Sequence, residues 1–178
     1  MSGRFARLAA GVALAGAAAM AVAALAQAAG ARINTTRSVP LGLYWVSDAA
    51  AEKGAYVLVC PPQGPVFDEA RARGYIGAGF CAGGYGYLIK RIAATGGDAV
   101  AVSEAGVRVN GALLALSAPR AVDAGGRALP GFRRDATVLG AGEVLLMADA
   151  SPTSFDARYF GPVSRGQIRN VVVPLLTW

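Results

Sequence analysis

Histidine is absent from all 178 residues. Neither a Ser-His-Asp triad nor a Cys-His pair can therefore be assembled, and the commonest metal ligand is missing too. A hydroxyl nucleophile in this chain needs a different base. Buried lysine is suited to the task, because a low-dielectric site disfavours the ammonium and lowers its pKa by several units from about 10.4. Arginine stays charged and is not. The chain holds only two lysines against 15 arginines. One of them, Lys90, sits in the apolar run Tyr87-Leu88-Ile89-Lys90-Arg91-Ile92. In a strand Leu88, Lys90 and Ile92 share one face, so Lys90 points with two apolar residues. The competing reading is a lysine on an edge strand that snorkels its head into water.

A serine for such a base lies in Asn34-Thr35-Thr36-Arg37-Ser38-Val39-Pro40-Leu41-Gly42-Leu43-Tyr44. Pro40 and Gly42 bend the backbone, and a serine beside the bend can present its hydroxyl outward, although serine before a proline turn is common. A third segment runs from Asp149 to Val163 as DASPTSFDARYFGPV. Its Ser154 can hydrogen-bond a lysine amine. Asp156 and Arg158, two apart, face the same side of an extended segment and can pair. An ordinary turn with an exposed ion pair, worth little to stability, is the alternative.

These residues need elements to position them. At the amino terminus Arg4 and Arg7 precede an apolar run over 8–29, interrupted only by Gln27. A bilayer span takes about 20 such residues. The basic flank predicts a cytoplasmic amino terminus, with everything after residue 30 outside the inner membrane. The A-x-A sites at 24–26 and 26–28 leave a cleaved signal peptide as the competing reading, but the run is longer than the 7–15 residues of an h-region. The division is thus 1–30, cytoplasmic tip and membrane-spanning anchor, and 31–178, a periplasmic domain.

That domain reads as mainly β. Short apolar runs at 43–46, 55–59, 87–93, 99–102, 106–109, 138–147 and 168–176 are bounded by Gly, Asp, Asn and Pro, with turn signals at Thr95-Gly96-Gly97-Asp98 and Asn110-Gly111. The spacing predicts a sandwich or an antiparallel, partly open barrel. The one helical stretch is 67–75, with acids early and arginines late. It lies in a Pro/Gly-rich insertion over 61–86 that reads either as a cap or as a surface loop. Cys60 and Cys81 bracket this insertion. An oxidising exterior suits a disulfide between them, and two buried free thiols are the alternative.

The formal charge of +6 falls to +4 after residue 30, where 15 basic residues face 11 acidic ones. The arginines are scattered, with no basic helix and no basic run interleaved with aromatics, which argues against a nucleic-acid partner. Two cysteines without histidine do not make a structural zinc site. No metal and no cofactor is expected.

The three segments together resemble the type I signal peptidases, the Ser/Lys peptidases that remove leader sequences. Ser38-Val39-Pro40-Leu41-Gly42 is similar to the family's nucleophile box after a membrane anchor. Lys90-Arg91, followed by Gly97-Asp98, is similar to its base box. Asp149 with Ser154-Phe155-Asp156-Ala157-Arg158-Tyr159-Phe160-Gly161 is similar to its last box. Departures include Arg37 in place of a small residue, Val39 for Met, Ala150-Ser151-Pro152 for the usual Asn-Arg, and Ala157 for Ser. With the cysteine-bracketed insertion, these resemble the conjugative-transfer branch of the family (TraF-type).

The resemblance implies a signal-peptidase-like β core with a small capping insertion, and a membrane-bound serine endopeptidase with Ser38 as nucleophile and Lys90 as general base. Ser154 would orient the base. The Ser38 backbone N–H and the Thr36 hydroxyl would meet the oxyanion, and Asp149, Asp156 and Arg158 would support the last box. The implied substrate is a conjugative pilin precursor, trimmed and in some members cyclised. Inner-membrane lipid and the conjugation machinery are the further partners. A general leader peptidase acting on many exported proteins is the alternative, and a non-catalytic anchored component of a secretion assembly is a third.

Overall fold

The computed structural model describes residues 2–178 and divides them into two compact units, the first ending at Arg32 and the second Ile33–Trp178. In the first unit, helix α1 (Ser2–Ala28) is unbroken. Its apolar stretch Gly3–Ala28 has 26 residues, which at 1.5 Å per residue is about 39 Å, enough for a hydrocarbon core of about 30 Å. The helix fits a membrane anchor.

The second unit is mainly β, as the runs of alternating apolar residues predict. Its larger sheet is built from β1 (Ala31–Asn34), β2 (Gly42–Ser47), β3 (Tyr56–Val59), β4 (Leu88–Thr95), β9 (Glu143–Met147), β10 (Val163–Ser164) and β11 (Ile168–Thr177). Their order is β1-β2-β11-β3-β4-β9-β10, an open, curled antiparallel sheet. The last strand of the chain thus lies between β2 and β3, paired with both. A smaller antiparallel sheet has the order β7-β6-β5-β8, from β5 (Ala99–Ser103), β6 (Gly106–Val109), β7 (Ala112–Leu113) and β8 (Arg134–Val138). Asn110 and Gly111, both at positive φ, make the tight β6–β7 turn that an Asn-Gly pair favours.

The residues flanking β4 show how the strands sort their side chains. Val57 pairs with Lys90 and Leu58 with Ile89. On one face Val57, Ile92, Val144, Leu146 and Val171 form the main core. On the other, Leu58 and Val172 pack with Tyr44 and Val39, which holds the segment after Ser38 against the sheet.

The insertion over 61–86 sends Phe67, Ala70, Ile76 and Tyr85 into the main core. Cys60 and Cys81 are joined at its base. It is built into the packing, where a surface loop would leave such residues exposed. Its helix, α2 (Pro65–Ala72), begins two residues earlier and ends three earlier than the stretch expected from sequence. Pro65 supplies the helical φ of a first turn, and Gly74, at φ +79°, ends it.

Two other expectations are corrected. The run over 138–147 is not one strand, because Gly140-Ala141-Gly142 turns the chain between β8 and β9. Residues 156–158 are not extended: Asp156 caps the short helix α3 (Ala157–Phe160), its side chain accepting from the Arg158 N–H.

Candidate active site

The loop between β1 and β2 carries Ser38, and its shape follows from what is tied down around it. Tyr44, wholly buried, donates its hydroxyl to the Pro40 carbonyl at 2.7 Å. The backbone N–H groups of Asp149 and Ala150 donate to the Ser38 carbonyl at 3.1 and 3.3 Å. Gly42 closes the loop at φ +152°, and a Cβ there would lie 2.0 Å from the Leu176 carbonyl oxygen. The glycine of the Ser-x-Pro-x-Gly spacing is thus what lets β11 run close past the loop.

Lys90 is the third residue of β4 and is 2% exposed. Its Nζ donates to Ser38 Oγ at 3.0 Å and to Ser154 Oγ at 2.9 Å, and the two hydroxyl oxygens are 2.7 Å apart. Three groups separated by 52 and 64 residues in the chain therefore meet in one triangle. Burial pulls the Lys90 pKa down from 10.5 to about 8; the Asp156 charge opposes this and the Arg158 charge assists it. A lysine at that value is part neutral at neutral pH, where it can accept a proton from a hydroxyl at hydrogen-bond distance.

Asp156 and Arg158 do pair, but in a helix cap and without solvent. Arg158 Nε donates to Asp156 Oδ1 and Nη2 to Oδ2, each at 2.7 Å, and both side chains are fully buried. The remaining donor, Nη1, reaches the carbonyls of Leu116 and Pro152 at 2.7 and 3.0 Å. Asp156 Oδ2 also accepts from the Ala148 N–H at 2.9 Å. One ion pair thus binds the end of β9, the loop bearing Ser154 and the segment after β7. The aromatic residues beside them continue the support. Phe155 stacks on Tyr159 at 6.0 Å and meets Phe67 of the insertion edge-on at 6.3 Å.

Asp149 is placed differently from Ser38, Lys90 and Ser154. Its Oδ2 accepts from the Tyr56 hydroxyl at 2.7 Å and lies 3.5 Å from Arg91 Nη1, on the far face of β4 from Lys90. Its Oδ1 is buried without a partner among the described residues. A groove of about 310 Å³ runs past it, lined by Arg91, Ile92, Met147, Ala148 and Leu114. Asp149 therefore touches Ser38 through its backbone, not its carboxylate.

Thr36 is exposed, and its hydroxyl donates to Asn34 Oδ1 at 2.9 Å. Asn34 is a residue that sequence reasoning missed. Its signal was an Asn followed by Thr-Thr just before a turn, the composition of a side chain that bonds its own backbone. Asp98, the acid of the base box, accepts from the Thr95 N–H at 2.9 Å and from Lys53 and Asn110, closing the turn after β4. Among the described residues no cluster of three or more Cys, Asp or Glu side chains is placed to hold a metal.

Comparison with known proteins places the chain in a family. The family model for signal peptidase, peptidase S26, matches residues 4–177. A plasmid transfer protein TraF of Escherichia coli is 62% identical over 172 residues, covering 97% of each chain. A second E. coli plasmid transfer protein TraF is 57% identical over 175 residues, covering 98% of this chain and 99% of its own. Conjugal transfer protein TraF of Agrobacterium fabrum (strain C58) is 33% identical over 151 residues, 84% of each. A solved signal peptidase I of Enterococcus faecalis V583 overlies 71% of this chain and all of its own, with a TM-score of 0.41 and 15% identity. With the family match running from the first turns of α1 to the penultimate residue, the chain belongs to the signal peptidase family, peptidase S26.

Proposed function

We propose that this serine peptidase works through a Ser38/Lys90 dyad and matures a pilin precursor for conjugative transfer. The observation that carries the chemistry is a fully buried lysine at hydrogen-bond distance from two serines, one of them in a loop clamped on both sides. The role in conjugation is supported by the plasmid transfer relatives that this chain matches over nearly its whole length.

Neutral Lys90 takes the Ser38 proton as Oγ attacks the scissile carbonyl. Ser154 accepts an N–H of the amine and so turns its lone pair toward Ser38. The Ser38 backbone N–H and the Thr36 hydroxyl, swung off Asn34, meet the oxyanion; one such donor is typically worth about 3 kcal/mol of transition-state stabilisation. The protonated Lys90 then gives its proton to the leaving amine. Water, or an amine held close, resolves the acyl-enzyme with Lys90 again as base. An extended substrate has a place to lie. β9 pairs with β4 only from Arg91 onward, so Leu88–Lys90 have β3 on one side and no paired strand on the other. The apolar helix and its basic flank support a domain on the periplasmic face of the inner membrane.

The test is cleavage of a pilin precursor by the wild type, Ser38→Ala and Lys90→Arg. Both variants are expected to lose activity almost completely, since Lys90→Arg keeps the charge but offers no neutral base. Full activity in either would falsify the dyad. Depletion in the host separates the substrate classes: loss of mating alone fits a pilin precursor, and loss of growth fits a general leader peptidase.

A further inference from the structure

Asn34 closes the nucleophile loop with a single carboxamide. It is the last residue of β1 and is 3% exposed. Its Nδ2 donates to the carbonyls of Thr36, Val39 and Pro40 at 2.8, 3.1 and 2.9 Å. Its Oδ1 accepts from the Thr36 N–H at 3.1 Å and from the Thr36 hydroxyl at 2.9 Å. The Ser38 carbonyl is held from the other side by Asp149 and Ala150.

Between Thr36 and Pro40 this leaves one peptide free. The carbonyls of residues 36, 38, 39 and 40 all have partners. The Arg37–Ser38 peptide alone has neither its carbonyl nor its N–H paired among the described residues; the N–H groups of Arg37 and Val39 are also without partners, but their peptides are held through the Thr36 and Ser38 carbonyls. The Arg37–Ser38 peptide is therefore fixed by its neighbours, yet its N–H is unspent. An oxyanion donor has to be in this condition before substrate arrives: oriented in advance and not already bonded.

We propose that Asn34 is a positioning residue for the reaction. It sets the orientation of the Ser38 N–H, and it keeps the Thr36 hydroxyl parked on its Oδ1 until the oxyanion forms. It touches neither Lys90 nor Ser154, so its influence falls on oxyanion stabilisation and leaves the proton transfer alone. This rests on the Ser38/Lys90 reading.

The experiment uses the full chain in detergent micelles, with the p-nitrophenyl ester of acetyl-alanyl-alanine as probe. Wild type, Ser38→Ala, Asn34→Ala and Asn34→Asp are compared per folded molecule, counted from thermal melts. Asn34→Asp keeps the volume and the Oδ1 acceptor but loses the amide donors, and it decides the question where Asn34→Ala does not fold. Both Asn34 variants are expected to lower kcat by about 10²-fold, with KM changed by less than about threefold; Asn34→Ala, which adds no charge, is expected to leave the alkaline rise of the pH profile unmoved. A merely structural residue would lower the melting temperature and leave kcat per folded molecule alone. Wild-type kcat in a folded Asn34 variant, or a loss confined to KM, overturns the inference. If Ser38→Ala is inactive while Asn34→Asp is unimpaired, only the role of Asn34 falls. If Ser38→Ala remains active, the dyad falls and this inference with it.

Discussion

Asp156 and Arg158 form a two-pronged ion pair that is fully buried, and Lys90 feels both of its charges, upward from Asp156 and downward from Arg158. Cutting Arg158 to Met leaves a buried carboxylate unpaired, which typically costs about 3–5 kcal/mol. It also frees three backbone carbonyls of a donor. Where the variant folds, Asp156 acts unopposed on Lys90. The midpoint of the pH–rate profile is expected to move to higher pH, and urea melts with rate profiles check both effects.

The activity of the wild type is expected to rise with pH through a midpoint near 8, because the base must be neutral and burial holds Lys90 at about 8. A profile flat from pH 6 to 10 would count against a titrating lysine.

Stability carries a mark of the same shift. The folded state binds fewer protons than the unfolded one between about 8 and 10.5, so unfolding free energy is expected to increase with pH across that window. Below it, burying the ammonium costs about 3 kcal/mol. Lys90→Met is thus expected to be inactive but more stable than wild type at pH 7, with the advantage gone above pH 10.5. Melting curves at pH 7 and pH 10.5 decide this.

Ser154→Ala leaves Ser38 and Lys90 in contact at 3.0 Å but removes the group that steers the amine. A fall in kcat of roughly 10²-fold is expected, within the usual range for acid–base positioning, with the protein still folded. Steady-state kinetics alongside a melt check it.

Reduction of the Cys60–Cys81 bond, or replacement of both by Ser, opens a loop with a sequence separation of 21 residues. The expected loss is about 3 kcal/mol, or roughly 6–12 °C in Tm. Melting with and without a reductant measures it.

Much of the site could be read before the fold. The absence of histidine, the lone lysine in an apolar strand and the three spaced boxes pointed to residues that the structure brings within 3.0 Å of one another. The strands at 42–47, 56–59 and 88–95 were legible because their faces alternate or stay apolar. β8 was not, since Arg134–Val138 carries polar residues and lies mostly exposed. α3 was missed because four residues carry no helical period, and its cap is visible only once Asp156 turns back on the Arg158 N–H. The work of Asn34 depends on three carbonyls of one folded loop, and backbone acceptors leave no trace in residue types.

The place of β11 in the large sheet has a consequence for folding. Ile168–Thr177 is the strand that joins β2, behind the Ser38 loop, to β3 and through it to β4 and Lys90. Until that strand pairs, the elements bearing Ser38 and Lys90 belong to two sheet fragments with no ladder between them. A non-local pairing of this kind forms late. The Ser38–Lys90–Ser154 triangle is therefore expected to assemble only once β11 has paired with both of its neighbours.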